Sequence, residues 1–120
     1  MADLEANRQL EERSLVFAVA VLRFVATFPR TDAGSVVTRQ LTKSGTSIGA
    51  NYREANDALS KKDFGHRIKI ARKEAKEAGY WLQLLEEAQP GLDGEIFELR
   101  GEAGQLRKIL SSIAEKSDGH

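Results

Sequence analysis

The sequence predicts an all-α protein that folds as an up-down-up-down antiparallel four-helix bundle. Apolar residues recur at intervals of three and four through almost the whole chain, which is the spacing of one helix face. The only two prolines, Pro29 and Pro90, leave long stretches free to be helical. No stretch shows the sustained alternation of a β-strand. Short connections between long helices favour antiparallel neighbours, and 120 residues are enough for one such domain.

Helix 1 is expected over residues 3–28, because a proline disfavours helical conformation in the residue before it. Its main apolar row, spaced by fours and threes, consists of Leu10, Ser14, Phe17, Val21, Phe24 and Phe28. A second apolar row on another side of the helix consists of Leu15, Val19, Leu22 and Ala26. One apolar face is enough for a monomeric bundle, so the second row predicts contact with another subunit.

Helix 2 is expected over residues 32–58, with Thr31 or Asp32 as its N-cap. Its predicted core face is rich in small residues and consists of Gly34, Val37, Leu41, Ser44, Ile48, Asn51, Ala55 and Ala58. Gly45 and Gly49 lie beside this face, and each glycine costs a helix about 1 kcal/mol relative to alanine. We therefore expect a neighbouring helix to approach closely here. A buried Asn51 would need hydrogen-bond partners and would specify register or oligomer state.

Helix 3 is expected over residues 61–89, with Ser60 as its N-cap and Asp63 three residues later. Its core face consists of Phe64, Ile68, Ala71, Ala75, Ala78, Leu82 and Leu85. Tyr80 and Trp81 lie off this face, and aromatic residues of this kind concentrate at interfaces. The predicted subunit interface therefore consists of Leu15, Val19, Leu22 and Trp81.

Helix 4 is expected over residues 94–116, after Pro90 and Gly91 have ended helix 3. Its core face consists of Leu92, Ile96, Leu99, Ala103, Leu106, Leu110 and Ile113. The last four residues, 117–120, are expected to fray.

Composition excludes several classes of protein. The absence of cysteine rules out disulfide scaffolds, thiolate zinc sites and cysteine nucleophiles, and it is compatible with a reducing cytoplasm. The acidic N-terminus does not resemble a signal peptide. The longest apolar stretch, 15–28, contains Arg23 and is too short to cross a bilayer. We expect a cytoplasmic protein without membrane contact.

The side chains that could perform catalysis are few. A di-iron bundle needs two Glu-x-x-His pairs, but His66 is predicted on the solvent side of helix 3 and His120 is the last residue. Two carboxylate pairs at helical spacing are Glu54 with Asp57 and Glu74 with Glu77. Both pairs lie among lysine and arginine residues, so intrahelical ion pairing is the simpler interpretation. The sequence predicts a non-enzyme without a metal, a cofactor or a small-molecule substrate.

Charge is unevenly distributed, although 18 basic residues balance 18 acidic ones. The first half of helix 3 carries seven cations: Lys61, Lys62, Arg67, Lys69, Arg72, Lys73 and Lys76. One helix face would present Lys62, His66, Lys69, Lys73 and Lys76. This face is either a solvated surface or an anion-binding surface. An anion-binding surface would contact RNA phosphates without reading bases, because lysines on a straight helix carry no base code.

The run from Gln40 to Ala55, QLTKSGTSIGANYREA, resembles the signature of the four helix bundle protein family. These proteins are also called rRNA intervening-sequence proteins, after reading frames inside inserts of bacterial large-subunit rRNA genes. Two positions depart mildly from this signature: many relatives have glycine at the position of Ala55 and arginine at the position of Lys43. The resemblance continues through Asp63, Phe64, Ile70, Ala71, Lys73, Glu74, Ala75, Glu77, Tyr80, Trp81, Leu82, Leu84 and Leu85. The signature positions are Ser44, Ser47, Asn51, Arg53, Glu54, Glu74, Glu77 and Trp81.

The resemblance implies an up-down bundle that assembles into a homopentameric ring, without a catalytic role for the signature residues. The leading hypothesis is a non-catalytic binding module for structured RNA or an RNA-associated protein. One alternative is a protein–protein scaffold ring that does not touch nucleic acid. Another is an accessory protein of a reverse-transcriptase system, which the net charge of zero disfavours. A hydrolase that uses Glu54 or Glu74 is the least favoured hypothesis.

Overall fold

Four α-helices follow one another in the computed structural model, which describes residues 4–89, 91 and 93–118. They are α1 (Leu4–Thr27), α2 (Asp32–Asn56), α3 (Lys61–Ala88) and α4 (Asp93–Asp118). Each helix contacts the next one, and α4 returns to contact α1, so the four helices close into a bundle. The bundle measures 46 × 22 × 19 Å, and no β-strand occurs within the described residues. The prediction of an all-α four-helix fold is confirmed.

Contacts between consecutive helices show that neighbours run in opposite directions. Asn51, late in α2, accepts a hydrogen bond from Arg67, early in α3. Glu86, late in α3, pairs with Arg100, early in α4. The topology is therefore up-down-up-down, as the short connections predict.

The predicted caps and breaks mark the ends of the helices. Helix α1 ends at Thr27, two residues before Pro29. Thr31, and not Asp32, caps α2, because its hydroxyl accepts a hydrogen bond from the Gly34 amide at 2.9 Å. Ser60 caps α3 in the same way and accepts from the Asp63 amide at 3.0 Å.

Two helix ends differ from the prediction by two residues, and three others differ by one. Helix α2 ends at Asn56, two residues early, and the following Asp57 amide donates to the Arg53 and Glu54 carbonyls. Helix α4 continues to Asp118, so the expectation that residues 117 and 118 fray is wrong. The predicted start at Asp3, the core position Leu92 and the residues Pro90 and His120 lie outside the described residues.

In α1, α3 and α4 the core lies where the helical periodicity predicts it. In the predicted core row of helix 2, Gly34, Val37 and Ala58 are half-buried, and Thr38 is buried instead. All six predicted core residues of α1 are buried, and in α3 only Phe64 of the seven is half-buried. In α4, Ala114 is buried and its neighbour Ile113 is half-buried. The buried core of α3 and α4 consists of Ile68, Ala71, Ala75, Ala78, Leu82, Leu85, Ile96, Leu99, Ala103, Leu106, Leu110 and Ala114.

The prediction that Asn51 lies in the core is wrong. Its side chain is half-buried at the edge between α2 and α3, while the adjacent Tyr52 is 2% exposed and occupies the core. From Ile48, a step of four reaches Tyr52 and a step of three reaches Asn51, so spacing alone does not separate them. The aromatic ring buries more apolar surface than an amide, and its hydroxyl still reaches Asn7 Oδ1 at 3.2 Å.

Gly45 and Gly49 are buried where α1 and α2 approach most closely, as their position predicts. A Cβ atom added at Gly45 would lie 3.1 Å from Val21 Cγ2, and one at Gly49 would lie 2.9 Å from Ser14 Oγ. The close approach of the two helices therefore depends on the missing side chains.

Candidate nucleic-acid interface

One face of α3 presents a row of exposed basic side chains, which we call the cationic stripe. It consists of Lys62, His66, Lys69, Lys73 and Lys76. Its members follow each other at intervals of four and three and extend over about 20 Å of helix, at 1.5 Å per residue. The buried residues Ile68, Ala71 and Ala75 face the core on the opposite side of the same helix. The predicted exposure of these five side chains is confirmed.

The other predicted cations of α3 lie beside the stripe in different surroundings. Lys61 is exposed at the first position of the helix. Arg67 is exposed and donates a hydrogen bond to Asn51 Oδ1 at 3.2 Å, so it faces α2. Arg72 is half-buried and does not belong to the exposed row. The stripe is therefore mainly a lysine surface, which suits point-charge contacts to phosphates.

The end of α4 borders the start of the stripe. A groove of about 500 Å³ is lined by Lys61, Lys62, Gly65, His66, Lys69, Ser117 and Asp118. The Lys69 ammonium pairs with Asp118 Oδ2 at 3.0 Å. This pair was not predicted, because residues 117 and 118 were expected to fray.

The groove between α2 and α3 holds a second group of polar residues. Asn51 is fixed there by donating to the Ser47 carbonyl at 2.9 Å and by accepting from Arg67. Farther along, Glu74 is half-buried. Its burial raises its pKa, and repulsion from Glu77 adds to this, while Lys73 and Lys43 act in the opposite direction.

The family-signature positions do not form one site. Ser44 is buried and donates to the Gln40 carbonyl at 3.1 Å. Arg53 is exposed and lies 4.0 Å from Glu11 of α1. Trp81 is half-buried near the far end of α3, and its ring meets the exposed ring of Tyr80 edge-on, with centroids 5.0 Å apart.

Glu54, another signature position, is exposed beside the connection between α2 and α3. It lines a small hollow together with Asp57, Ala58, Leu59, Asp63, His66 and Arg67. The structure thus brings Glu54 to the same region as Arg67, and Ser47 to the same edge as Asn51.

A polar network between α1 and α2 was not predicted. The Tyr52 hydroxyl donates to Asn7, and Asn56 Nδ2 donates to Glu11 Oε2 at 2.9 Å. Burial raises the pKa of Tyr52. Each residue is ordinary in its own helix, so single-helix periodicity could not reveal their pairing.

The contact between α1 and α4 is the least extensive in the bundle. Arg13 of α1 donates two hydrogen bonds to the Glu102 carboxylate of α4, at 2.6 and 2.8 Å. An open groove of about 670 Å³ lies between the first part of α1 and the last part of α4. Its apolar lining includes Leu10, Phe64 and Ile113.

The second apolar row of α1 lies largely on the surface of the isolated chain. Leu15 is 51% exposed and Leu22 is 47% exposed, while Val19 is half-buried. The neighbouring Val16 is 61% exposed and extends this apolar surface.

Metal-binding clusters and membrane-spanning helices were sought among the described residues. No group of three or more histidine, aspartate or glutamate side chains is arranged there to hold a metal ion. None of the helices combines the length and the apolarity needed to cross a membrane.

The family model of the 23S rRNA-intervening sequence protein matches residues 7–112, which is most of the bundle. The chain belongs to this family. The family resemblance seen in α2 and α3 is thereby confirmed, and it extends over residues 7–112.

A solved member of this fold supports the same assignment. The crystal structure of a protein of unknown function from the S23 ribosomal protein family of Bacteroides thetaiotaomicron VPI-5482 matches with a TM-score of 0.82. The two sequences are 35% identical, and the match covers 88% of this chain and 98% of that chain. No curated protein matches this intervening-sequence protein.

Proposed function

We propose that this intervening-sequence protein is a cytoplasmic, homo-oligomeric, non-catalytic module that binds structured RNA through the cationic stripe. The observation that carries the proposal is the exposure of five basic side chains in one continuous row on α3. Ammonium groups in such a row can contact successive phosphates and release their condensed counterions. Because the lysines carry no base code, binding is expected to depend weakly on RNA sequence.

Assembly into an oligomer would increase the RNA affinity of the cationic stripe. One stripe contacting a few phosphates binds weakly, whereas several copies on one polyanion gain affinity through effective concentration. The exposed leucines Leu15 and Leu22 on α1 supply an apolar surface for self-association. The family resemblance suggests five copies in a ring.

Binding of a stem-loop RNA at about 50 mM salt tests the proposal, because counterion release is strong at low salt. Charge reversal of Lys62, Lys69 and Lys73 to glutamate is expected to weaken binding at least tenfold. All three side chains are exposed, so helicity and oligomer mass should stay unchanged.

The matched control reverses Arg23, Arg30 and Arg39, which are exposed near the connection between α1 and α2. This triple variant has the same net charge but keeps the stripe, so it should retain most of the affinity. Equal losses in both variants, or no binding by the unmodified protein, would refute the proposal. The scaffold ring without RNA contact would then be the better hypothesis.

A further inference from the structure

The last turn of α4 packs directly on α3 at the start of the cationic stripe. Gly65 is buried there, and a Cβ atom at this position would lie 3.1 Å from Ser117 Oγ. This contact places the next residue, Asp118, beside the stripe, where its Oδ2 atom lies 3.0 Å from Lys69 Nζ. The end of α4 thus brings a carboxylate to a lysine of the proposed RNA-binding surface.

We propose that Asp118 competes with RNA phosphates for Lys69 and so limits the affinity of the cationic stripe. This inference rests on the proposed function. Carboxylate and phosphate oxygens accept the same charge-assisted hydrogen bonds from an ammonium group. The two side chains are 44% and 59% exposed, and ion pairs this exposed are weak, so a phosphate can displace the carboxylate.

The position of Asp118 in its own helix supports a role outside helix stability. A carboxylate in the last turn of a helix faces the negative end of the helix dipole and is unfavourable there. The ion pair with Lys69 is exposed and adds little stability to α4. Removal of the carboxylate is therefore not expected to unfold α4.

The groove next to the pair offers room for the competing phosphate. Its described lining carries the basic side chains Lys61, Lys62, His66 and Lys69. Asp118 is the one acid among the described residues that line it. Loss of this carboxylate would leave only basic and neutral groups among the described residues that line the groove.

The test compares Asp118→Asn with Glu115→Gln in the full chain, using a stem-loop RNA over a range of salt concentrations. Glu115 is an exposed acid one turn earlier in α4, so both variants gain the same charge. Asp118→Asn is expected to bind about two- to fivefold more tightly than Glu115→Gln. The slope of log K against log salt should be similar for the two variants, because Lys69 contacts a phosphate in both complexes.

A double-mutant cycle tests whether the gain in RNA affinity depends on the ion pair between Asp118 and Lys69. In a Lys69→Gln background, Asp118→Asn should no longer change the RNA affinity beyond the effect of Glu115→Gln. Circular dichroism and oligomer mass of each variant verify that α4 and the assembly are intact.

The outcomes separate this inference from the proposed function. If the unmodified protein binds RNA and Asp118→Asn behaves like Glu115→Gln, the competition is wrong and the RNA-binding function stands. A gain that persists without Lys69 overturns the inference in the same way. If neither the unmodified protein nor Asp118→Asn binds RNA, both proposals fall.

Discussion

Gly49 of α2 lies directly against Ser14 of α1, so close that an added Cβ atom would approach Ser14 Oγ to 2.9 Å. Ser14 is 1% exposed, and its hydroxyl donates to the Glu11 carbonyl at 3.0 Å. The serine therefore cannot turn away without losing a partly buried hydrogen bond. The cost of glycine in the middle of α2 is offset by this close helix contact.

Replacement of Gly49 by alanine should destabilise the fold although alanine favours helix by about 1 kcal/mol. Overpacking against Ser14 is expected to outweigh this helix preference and to lower the free energy of unfolding by about 1–3 kcal/mol. The control is Gly104→Ala in α4, where a Cβ atom meets nothing within 4 Å and stability should rise. Denaturant unfolding at one fixed protomer concentration measures the free energy of unfolding of both variants. Equal stabilisation of the two variants would contradict the close contact between Gly49 and Ser14.

The paired hydrogen bonds from Arg13 to Glu102 should stabilise the sparse contact between α1 and α4. A double-mutant cycle with glutamine at both positions is expected to give a coupling energy of about 0.5–1 kcal/mol that decreases with salt. The exposed Glu5–Arg8 pair within α1 is the comparison, and it should couple less. The interpretation fails if the cycle at Arg13 and Glu102 gives no coupling.

The raised pKa of Glu74 makes a pH-dependent prediction. The folded protein binds this proton more tightly than the unfolded chain, so stability decreases as pH rises from the unfolded pKa through the folded one. Glu74→Gln should therefore raise Tm at pH 7 and match the unmodified protein below about pH 4. Glu87→Gln, at an exposed position of the same helix, removes the same charge and is the control for it. A Glu74→Gln variant that melts lower at pH 7 would show that attraction from Lys73 and Lys43 outweighs the cost of burying the Glu74 carboxylate.

Self-association should depend on the second apolar row of α1. Light scattering at micromolar concentration is expected to give a mass near five times 13.3 kDa. The double change of Leu15 and Leu22 to glutamate should reduce the mass, because two charges would enter the interface. Leu59→Glu is the control, since this leucine is 98% exposed in the connection between α2 and α3. A monodisperse monomer of the unmodified protein would contradict the assembly.

Much of the fold was predictable because each helix carries its own periodic signal. The buried row of α1, from Leu10 to Phe24, is a property of that helix alone and agrees with the structure. The caps at Thr31 and Ser60 are likewise encoded by residues adjacent in sequence.

Contacts between different helices could not be predicted from the periodicity of each helix alone. Asn51 and Tyr52 fit the spacing of α2 equally well, and the packing of the tyrosine ring against the other helices decides between them. Asp118 acquires its ion pair only because Gly65 lets the end of α4 approach α3. The exposure of the cationic stripe was predictable, and its relation to the end of α4 was not.

The contact of the cationic stripe with RNA phosphates is tested most directly by lysine protection. The protein is acylated with and without a stem-loop RNA at about 50 mM salt, and each modified lysine is quantified by mass spectrometry. The account predicts that RNA protects Lys62, Lys69, Lys73 and Lys76, while Lys43 of α2 and Lys116 of α4 react as before. Uniform protection of all lysines, or unchanged reactivity along α3 under conditions where RNA is bound, would contradict it.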